Sequence, residues 1–152
     1  MTRLGRPSLE GFSVNTNLAV IQSDVEVRET GTFIPTSLNR PLEGQAPYVL
    51  NVGLNWGSSG NGWTAGLFYN RIGERLTTAG GSGVPDIYLQ PRNSVDASLR
   101  VPLGRSAYMQ LKGTNLLDEA FPSQQSANGI TQLQQVYATG RTIAVKLGWQ
   151  IF

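Results

Sequence analysis

The chain of 152 residues contains no cysteine and no histidine. Without cysteine there is no disulfide framework, no thiolate metal site and no thiol nucleophile. Without histidine, Ser-His-Asp and Cys-His catalysis fall away, together with the commonest ligand for transition metals. Charge is scarce as well: 14% of residues are charged, against roughly 25% in a soluble globular chain. The 12 basic and 10 acidic residues are interleaved and leave a net charge of +2, so no basic block or stripe is present to grip nucleic acid. No apolar run approaches the about twenty residues that a transmembrane helix needs. The opening segment Met1-Thr2-Arg3-Leu4-Gly5-Arg6-Pro7-Ser8 lacks the apolar centre of a secretory signal peptide. Glycine, with 18 residues, and the neutral amides Asn and Gln take the place of the missing charge.

What is present is a period of two. Tyr48, Leu50, Val52, Leu54 and Trp56 share one parity, with Asn51, Gly53 and Asn55 on the other. The same alternation runs through Trp63, Ala65, Leu67 and Tyr69, and through Val95, Ala97, Leu99, Val101 and Leu103. It recurs in Ala107, Met109 and Leu111, and in Ile143, Val145, Leu147, Trp149 and Ile151. A sixth segment places Phe12, Val14, Thr16, Leu18 and Val20 opposite Ser13, Asn15 and Asn17. Strands with two chemically different faces produce this pattern, and no segment has the period of a helix. The connections alternate too. Gly57–Gly62, with its Asn61-Gly62 pair, and Gly104-Arg105-Ser106 are tight turns. Ser23 to Pro47, Thr77 to Pro91 and Asp118 to Thr139 are long. In an up-and-down meander the long connections therefore gather at one end of the sheet and the tight turns at the other.

Such a meander is either a soluble barrel or sandwich with its apolar face inside, or a membrane barrel with that face outside. The polar face of a soluble barrel usually carries Lys, Glu and Thr; here that parity carries Gly, Asn, Ser and Gln with few charges, which suits a crowded polar lumen. Short turns at one end and long connections at the other match outer-membrane barrels. Trp56, Trp63 and Trp149 all fall at the short-turn end, where an aromatic girdle at the periplasmic interface requires them. About ten residues per strand is the length that crosses the hydrocarbon at a tilt. The expectation is an all-β fold: an antiparallel meander of about six transmembrane strands that belongs to a larger barrel.

Several strings resemble TonB-dependent receptors of the outer membrane. The stretch Arg40 to Asn51, RPLEGQAPYVLN, is similar to a motif of that family, and Tyr69-Asn70 with Gly73 and Arg75 looks like its "YN..G.R" strand end. Pro85-Asp86-Ile87-Tyr88 and Pro91-Arg92-Asn93-Ser94-Val95-Asp96 resemble its next connection and strand start. Asn115-Leu116-Leu117-Asp118 is similar to its "NLLD" element, Gly140-Arg141 opens the last strand, and Phe152 ends the chain on an aromatic, although on the polar parity. The resemblance covers about Phe12 to Phe152 and implies that residues 1–152 are the C-terminal part of a 22-stranded transporter barrel, without the plug domain or TonB box. It implies uptake of a large scarce nutrient, such as a ferric chelate, cobalamin or a glycan, at the outer membrane of a Gram-negative cell, with the C-terminus periplasmic. The implied partners are outer-membrane lipid, the rest of the barrel and the plug. The TonB energy-coupling system would act through the missing N-terminal part, and the barrel-assembly machinery through the last strand. No cofactor, metal, nucleic acid or enzymatic activity is implied.

Other chemistry finds little support in the residues. Asp118-Glu119 is the only adjacent acidic pair, and neighbours in a connection do not converge on one bond. Gly80-Gly81-Ser82-Gly83 lacks the Lys-Ser/Thr and the helix of a phosphate cradle. Asp24, Glu26 and Glu29 are interrupted by Val25, Val27 and Arg28, which fits a solvated strand extension better than a calcium site. The candidates for the lumen and plug contact are Asn51, Asn55, Asp96, Arg100, Gln110, Lys112 and Lys146, with pairing or hydration along the wall as the equal alternative. Candidates for substrate contact in the long connections are Phe33, Arg40, Tyr88, Gln124, Gln125 and Tyr137. Two other readings stay open: a small outer-membrane β-protein that closes by oligomerising, and a soluble β-sandwich binding module.

Overall fold

The computed structural model describes residues 11–32 and 34–149. Phe33, Ile151 and Phe152, to which the sequence assigns roles, lie outside the described residues. Twelve strands follow along these residues: β1 (Phe12–Val20), β2 (Val25–Glu26), β3 (Asn39–Arg40), β4 (Tyr48–Gly57), β5 (Thr64–Ile72), β6 (Arg75–Thr78), β7 (Ile87–Leu89), β8 (Arg92–Leu103), β9 (Ala107–Thr114), β10 (Phe121–Ala127), β11 (Ile130–Tyr137) and β12 (Thr142–Trp149). No helix occurs among the described residues. All the strand pairings are antiparallel.

The six alternating segments are the six strands of the main sheet, in the order β1-β4-β5-β8-β9-β12, a meander with β1 and β12 at its edges. Their register keeps the parities apart across the whole sheet. One row reads Phe12, Trp56, Ala65, Leu99, Leu111, Val145, and the next reads Val14, Leu54, Leu67, Ala97, Gly113, Ile143. A one-residue slip at any pairing would turn a strand's apolar set onto the polar face. The turns help to set the register. In the β4–β5 turn Ser58 N–H donates to the Trp63 carbonyl at 2.8 Å, and Gly62 takes a φ of 70° that a side chain would disfavour.

The connections expected to be loops carry strands of their own. β6 and β7 prolong the β5–β8 hairpin, β10 and β11 prolong the β9–β12 hairpin, and the two extensions join in a second sheet of order β11-β10-β7-β6. The stretches there are short or interrupted, with Pro85, Pro91 and Pro122 in or beside them and a register shift between Ser123 and Gln124, which hides them from a periodicity reading. The first long connection is stitched to the second. Gly44 N–H donates to the Leu76 carbonyl (2.8 Å), Ser82 N–H to Ile34 (2.7 Å) and the Thr36 hydroxyl to Val84 (2.7 Å).

Among the described residues the buried apolar ones are Ala46, Leu76, Leu89 and Phe121, all among these connections and their sheet. None belongs to the six-stranded sheet. On its apolar parity the edge-strand residues Val14, Leu18, Ile143, Val145 and Leu147 stay exposed, Val145 at 64%, and Leu50, Val52, Val95, Leu99 and Val101 of the inner strands are half-buried.

Leu76 is fully buried, so Leu76→Ala is expected to weaken the second sheet by about 2–5 kcal/mol. Amide hydrogen exchange is expected to quicken in β6, β7 and β10 while β4 and β5 keep their protection.

Candidate functional site

The apolar face of the main sheet changes character along its length. At the tight-turn end stand Phe12 and Trp56, with ring centroids 6.3 Å apart, Trp63 just ahead of β5, and Trp149 opposite Ala107. At the other end the same face carries Tyr48, Tyr69, Arg71 and Asn93. Arg71 Nε–H donates to the Tyr48 hydroxyl (3.0 Å), and Arg71 Nη1 and the Tyr69 hydroxyl both donate to Asn93 Oδ1 (3.2 and 2.7 Å). Glu119 closes the cluster by accepting from Asn93 N–H and Nδ2 (3.0 and 3.1 Å). An apolar band is thus bounded by tryptophans at one end and by tyrosines with an arginine at the other. The second boundary was not read from the sequence, because the β5 alternation was followed only to Tyr69.

The polar face gathers all seven expected lumen residues. Arg100, Gln110 and Lys146 form one cross-strand row, and Asn55 and Lys112 share another with Ser98. Asn51 lies in a row with Asn17, Asn70 and Ser94, and Asn70 Nδ2 donates to Asn51 Oδ1 at 2.7 Å. Asp96 follows in a row with Phe68, Gly53 and Asn15. These last two rows line a groove of about 270 Å³. Phe68 is an aromatic on the polar face, among Asn15, Asn51, Asn70 and Asp96. The absence of Cβ at its neighbours makes room for it: a Cβ at Gly66 would stand 2.9 Å from its ring and one at Gly53 3.1 Å. Tyr108 covers Gly148 in the same manner, and the Arg100 guanidinium lies 3.9 Å from the Tyr108 ring centroid.

Asp96 also explains why an Asn-Leu-Leu-Asp string sits after β9. Its Oδ1 accepts from Asn115 N–H at 2.9 Å, and Asn115 adopts a φ of 53° that Asn tolerates better than most residues. The Asn115 side chain then donates to the Gly140 carbonyl (2.7 Å) and the Thr139 hydroxyl (2.9 Å), tying β8 and β9 to the entrance of β12. Asp118 N–H closes the turn on the Asn115 carbonyl at 3.0 Å.

Among the connections, one face of the second sheet brings together Glu74, Asp86, Tyr88, Gln90, Gln124 and Ser126 around a pocket of about 220 Å³. Asp86 is the anchor, with a side chain only 4% exposed. Its Oδ1 accepts from Gly80 N–H at 2.6 Å and lies 3.6 Å from Arg40 Nη1. Gln90 Nε2 donates to Glu74 at 2.6 Å. Burial, and after it the Asp86 and Glu74 carboxylates, push the Tyr88 phenol above its ordinary value, so it stays a neutral donor.

Of the expected substrate contacts, Tyr88 and Gln124 meet as cross-strand neighbours in this pocket. Gln125 is on the opposite face and donates to Gln132 (3.2 Å); Tyr137 stacks on Phe121 at 5.6 Å; Arg40 is committed to Asp86. Glu74, Gln90 and Ser126 were missed, and Asp86 entered only as part of a motif. The one signal for them is the shared parity of 74, 86, 88, 90, 124 and 126, legible only once the connections are known to be strands. No group of three or more acidic residues able to hold a metal ion occurs among the described residues.

Asp86→Ala would leave the Arg40 guanidinium buried without its carboxylate, at an expected cost of about 3–5 kcal/mol, visible as faster proteolysis between 34 and 46 and faster exchange of the Gly80 amide. Tyr88 holds its proton more tightly in the folded chain. The stabilisation is therefore complete below about pH 10 and declines as pH rises through the raised folded value. In an ultraviolet titration a tyrosine ionising above the ordinary range is expected, and it is expected to vanish in Tyr88→Phe. Comparison of the chain with known proteins finds no matching family model, no similar curated protein and no matching solved structure.

Proposed function

We propose that the chain is a segment of an outer-membrane barrel wall, the C-terminal part of a TonB-dependent receptor that takes up a large scarce nutrient. The observation that carries this reading is the apolar parity held in register through six strands and left exposed or half-buried, while the fully buried apolar side chains among the described residues all lie elsewhere. In water such a face is a liability; against acyl chains it is the required surface. The tryptophans at one end of the band and the Tyr48–Tyr69–Arg71 group at the other suit the two interfaces of a bilayer. The six strands run from 8 residues in β9 and β12 to 12 in β8, spread around the roughly 9–11 that a tilted membrane strand needs.

In this reading the Trp end faces the periplasm and the second sheet stands outside the cell. The Asn and Lys rows face the lumen, where they would bond a plug carried by the rest of the receptor. Energy would come from TonB through that missing part, and the barrel-assembly machinery would engage the last strand. The role is binding and passage, without catalysis and without a resident cofactor. The open edges of β1 and β12 favour one other arrangement, several copies closing a ring.

An immunoblot of native outer membranes with an antibody against 132–142 separates the two. A band several times larger than 16.4 kDa is expected for a receptor; a band at that mass in the membrane overturns the receptor reading in favour of assembled copies, and its absence from membranes overturns both. Arginine on the apolar parity at mid-membrane costs about 2–4 kcal/mol. Leu67→Arg, Leu99→Arg and Leu147→Arg are therefore expected to reduce the membrane-assembled fraction strongly and Ser98→Arg little. Equal damage on both parities would overturn the lipid-facing assignment.

A further inference from the structure

Charge is divided unevenly over the main sheet. Its six strands and two tight turns contain a single acidic residue, Asp96, in the half of β8 nearer the long connections. Arg40 and Arg141, in or beside those connections, have carboxylates within reach in Asp86 and Asp118. Toward the tight turns three cations gather on the polar face without one. Arg100 and Lys146 flank Gln110 in one cross-strand row, and Lys112, two residues on from Gln110, is diagonal to both. Diagonal neighbours on one face stand about 7–8 Å apart, near enough for like charges to repel. All three side chains are exposed, and none forms an ion pair among the described residues. Asp96, diagonal to Lys112 from the other side, instead accepts from Asn115 N–H. Arg105, in the β8–β9 turn, adds a fourth cation, and with Arg100 it lines a pocket of about 430 Å³ that no acidic side chain borders. We propose that this polar-face patch at the tight-turn end is a docking surface for an extended acidic polypeptide segment of a partner, whose carboxylates are received by Arg100, Lys112 and Lys146.

Footprint and magnitude decide the class. Same-face residues recur about every 7 Å along a strand, so the patch runs about 20 Å from Arg105 to Lys112. A phosphate or a citrate reaches one or two of these cations, and a single exposed ion pair contributes little. An extended chain with acids at alternate positions repeats the same spacing of about 7 Å and meets the cations in succession, so that the small contributions add. Bilayer lipid does not fit, because these side chains share the parity opposite the exposed apolar band. Nucleic acid fits poorly as well. Bases stack on aromatic platforms, and Tyr108, the aromatic beside these cations, is engaged by Gly148 and by the Arg100 guanidinium, 3.9 Å from its ring centroid. A guanidinium stacked in this way keeps its N–H edge for a carboxylate.

The docking surface does not depend on the transport reading, which adds only that the segment arrives at the periplasmic end of the lumen. The test uses the full chain in a non-ionic detergent and follows the fluorescence anisotropy of a labelled octapeptide of alternating Glu and Ser, with its Gln counterpart as the neutral control. Saturable binding of the acidic peptide alone is expected, and added salt is expected to weaken it steeply, because exposed pairs are screened. Arg100→Gln, Lys112→Gln and Lys146→Gln are each expected to weaken it about two- to fivefold, and the three together to abolish it. Arg28→Gln removes the same charge beside Glu26 and Glu29 in the first long connection and is expected to leave the affinity unchanged. No binding, an equal loss in Arg28→Gln, or an equal affinity for inorganic phosphate or an eight-nucleotide oligothymidylate would overturn the proposal. A peptide-binding chain that is absent from outer membranes would overturn the transport reading alone, and a membrane-borne chain that ignores the peptide would overturn this proposal alone.

Discussion

The structure depends on one constraint, the register that holds a single parity on one face through six antiparallel strands. Every residue of the main sheet takes its environment from that register. Leu54, Leu67 and Ala97 are side by side because β4, β5 and β8 pair as they do, and Asn51 and Asn70 bond each other across the other face for the same reason. A sheet of this kind has no interior of its own. Its backbone is satisfied by the ladders, and its side chains must be satisfied by whatever lies on either side. The contrast between an apolar band without amides or charges and a polar face of Asn, Ser, Gly and Lys fits two different surroundings, lipid and a polar lumen in the proposed reading.

The interior the chain does possess is in the connections. Leu76, Leu89, Phe121 and Ala46 form small buried contacts there, and the polar anchors are the more decisive part. Asp86 gathers Gly80 and Arg40, and Asn115 gathers Asp96, Thr139 and Gly140. Arg92 adds a third, with its guanidinium 4.8 Å from the Phe121 centroid and bonded to Thr139 at 3.3 Å. These anchors convert three long excursions of chain into a surface with a defined pocket.

How much of this was legible follows from the physics of each part. The six strands are plain in the sequence because Leu, Val, Ile and Trp alternate with Asn, Ser and Gly over stretches long enough to establish a period. The seven polar-face residues follow from the same parity. The second sheet was not legible: β6 and β7 have four and three residues, too few for a period, and β10 opens on Phe121-Pro122. Arg71 was missed because an arginine on the apolar parity ends the pattern being followed, although its bonds to Tyr48 and Asn93 make it part of the same face. Tyr88 and Gln124 were chosen as polar or aromatic residues in long connections, and only the pairing of β10 with β7 brings them together; the same criterion also chose Gln125, which that pairing turns away.

The stitching of the connections also bears on how such a chain can change over generations. Connections that project separately can be exchanged one at a time, each a free module on a common frame. Here the stretch around Ile34 and Thr36 donates to and accepts from residues 80–84, β7 lies against β10, and Asn115 reaches Gly140. A graft of one connection from another frame would arrive without its counterparts in its neighbour. Variation of this surface is therefore channelled into single side chains on a shared scaffold, or into replacement of the stitched connections together.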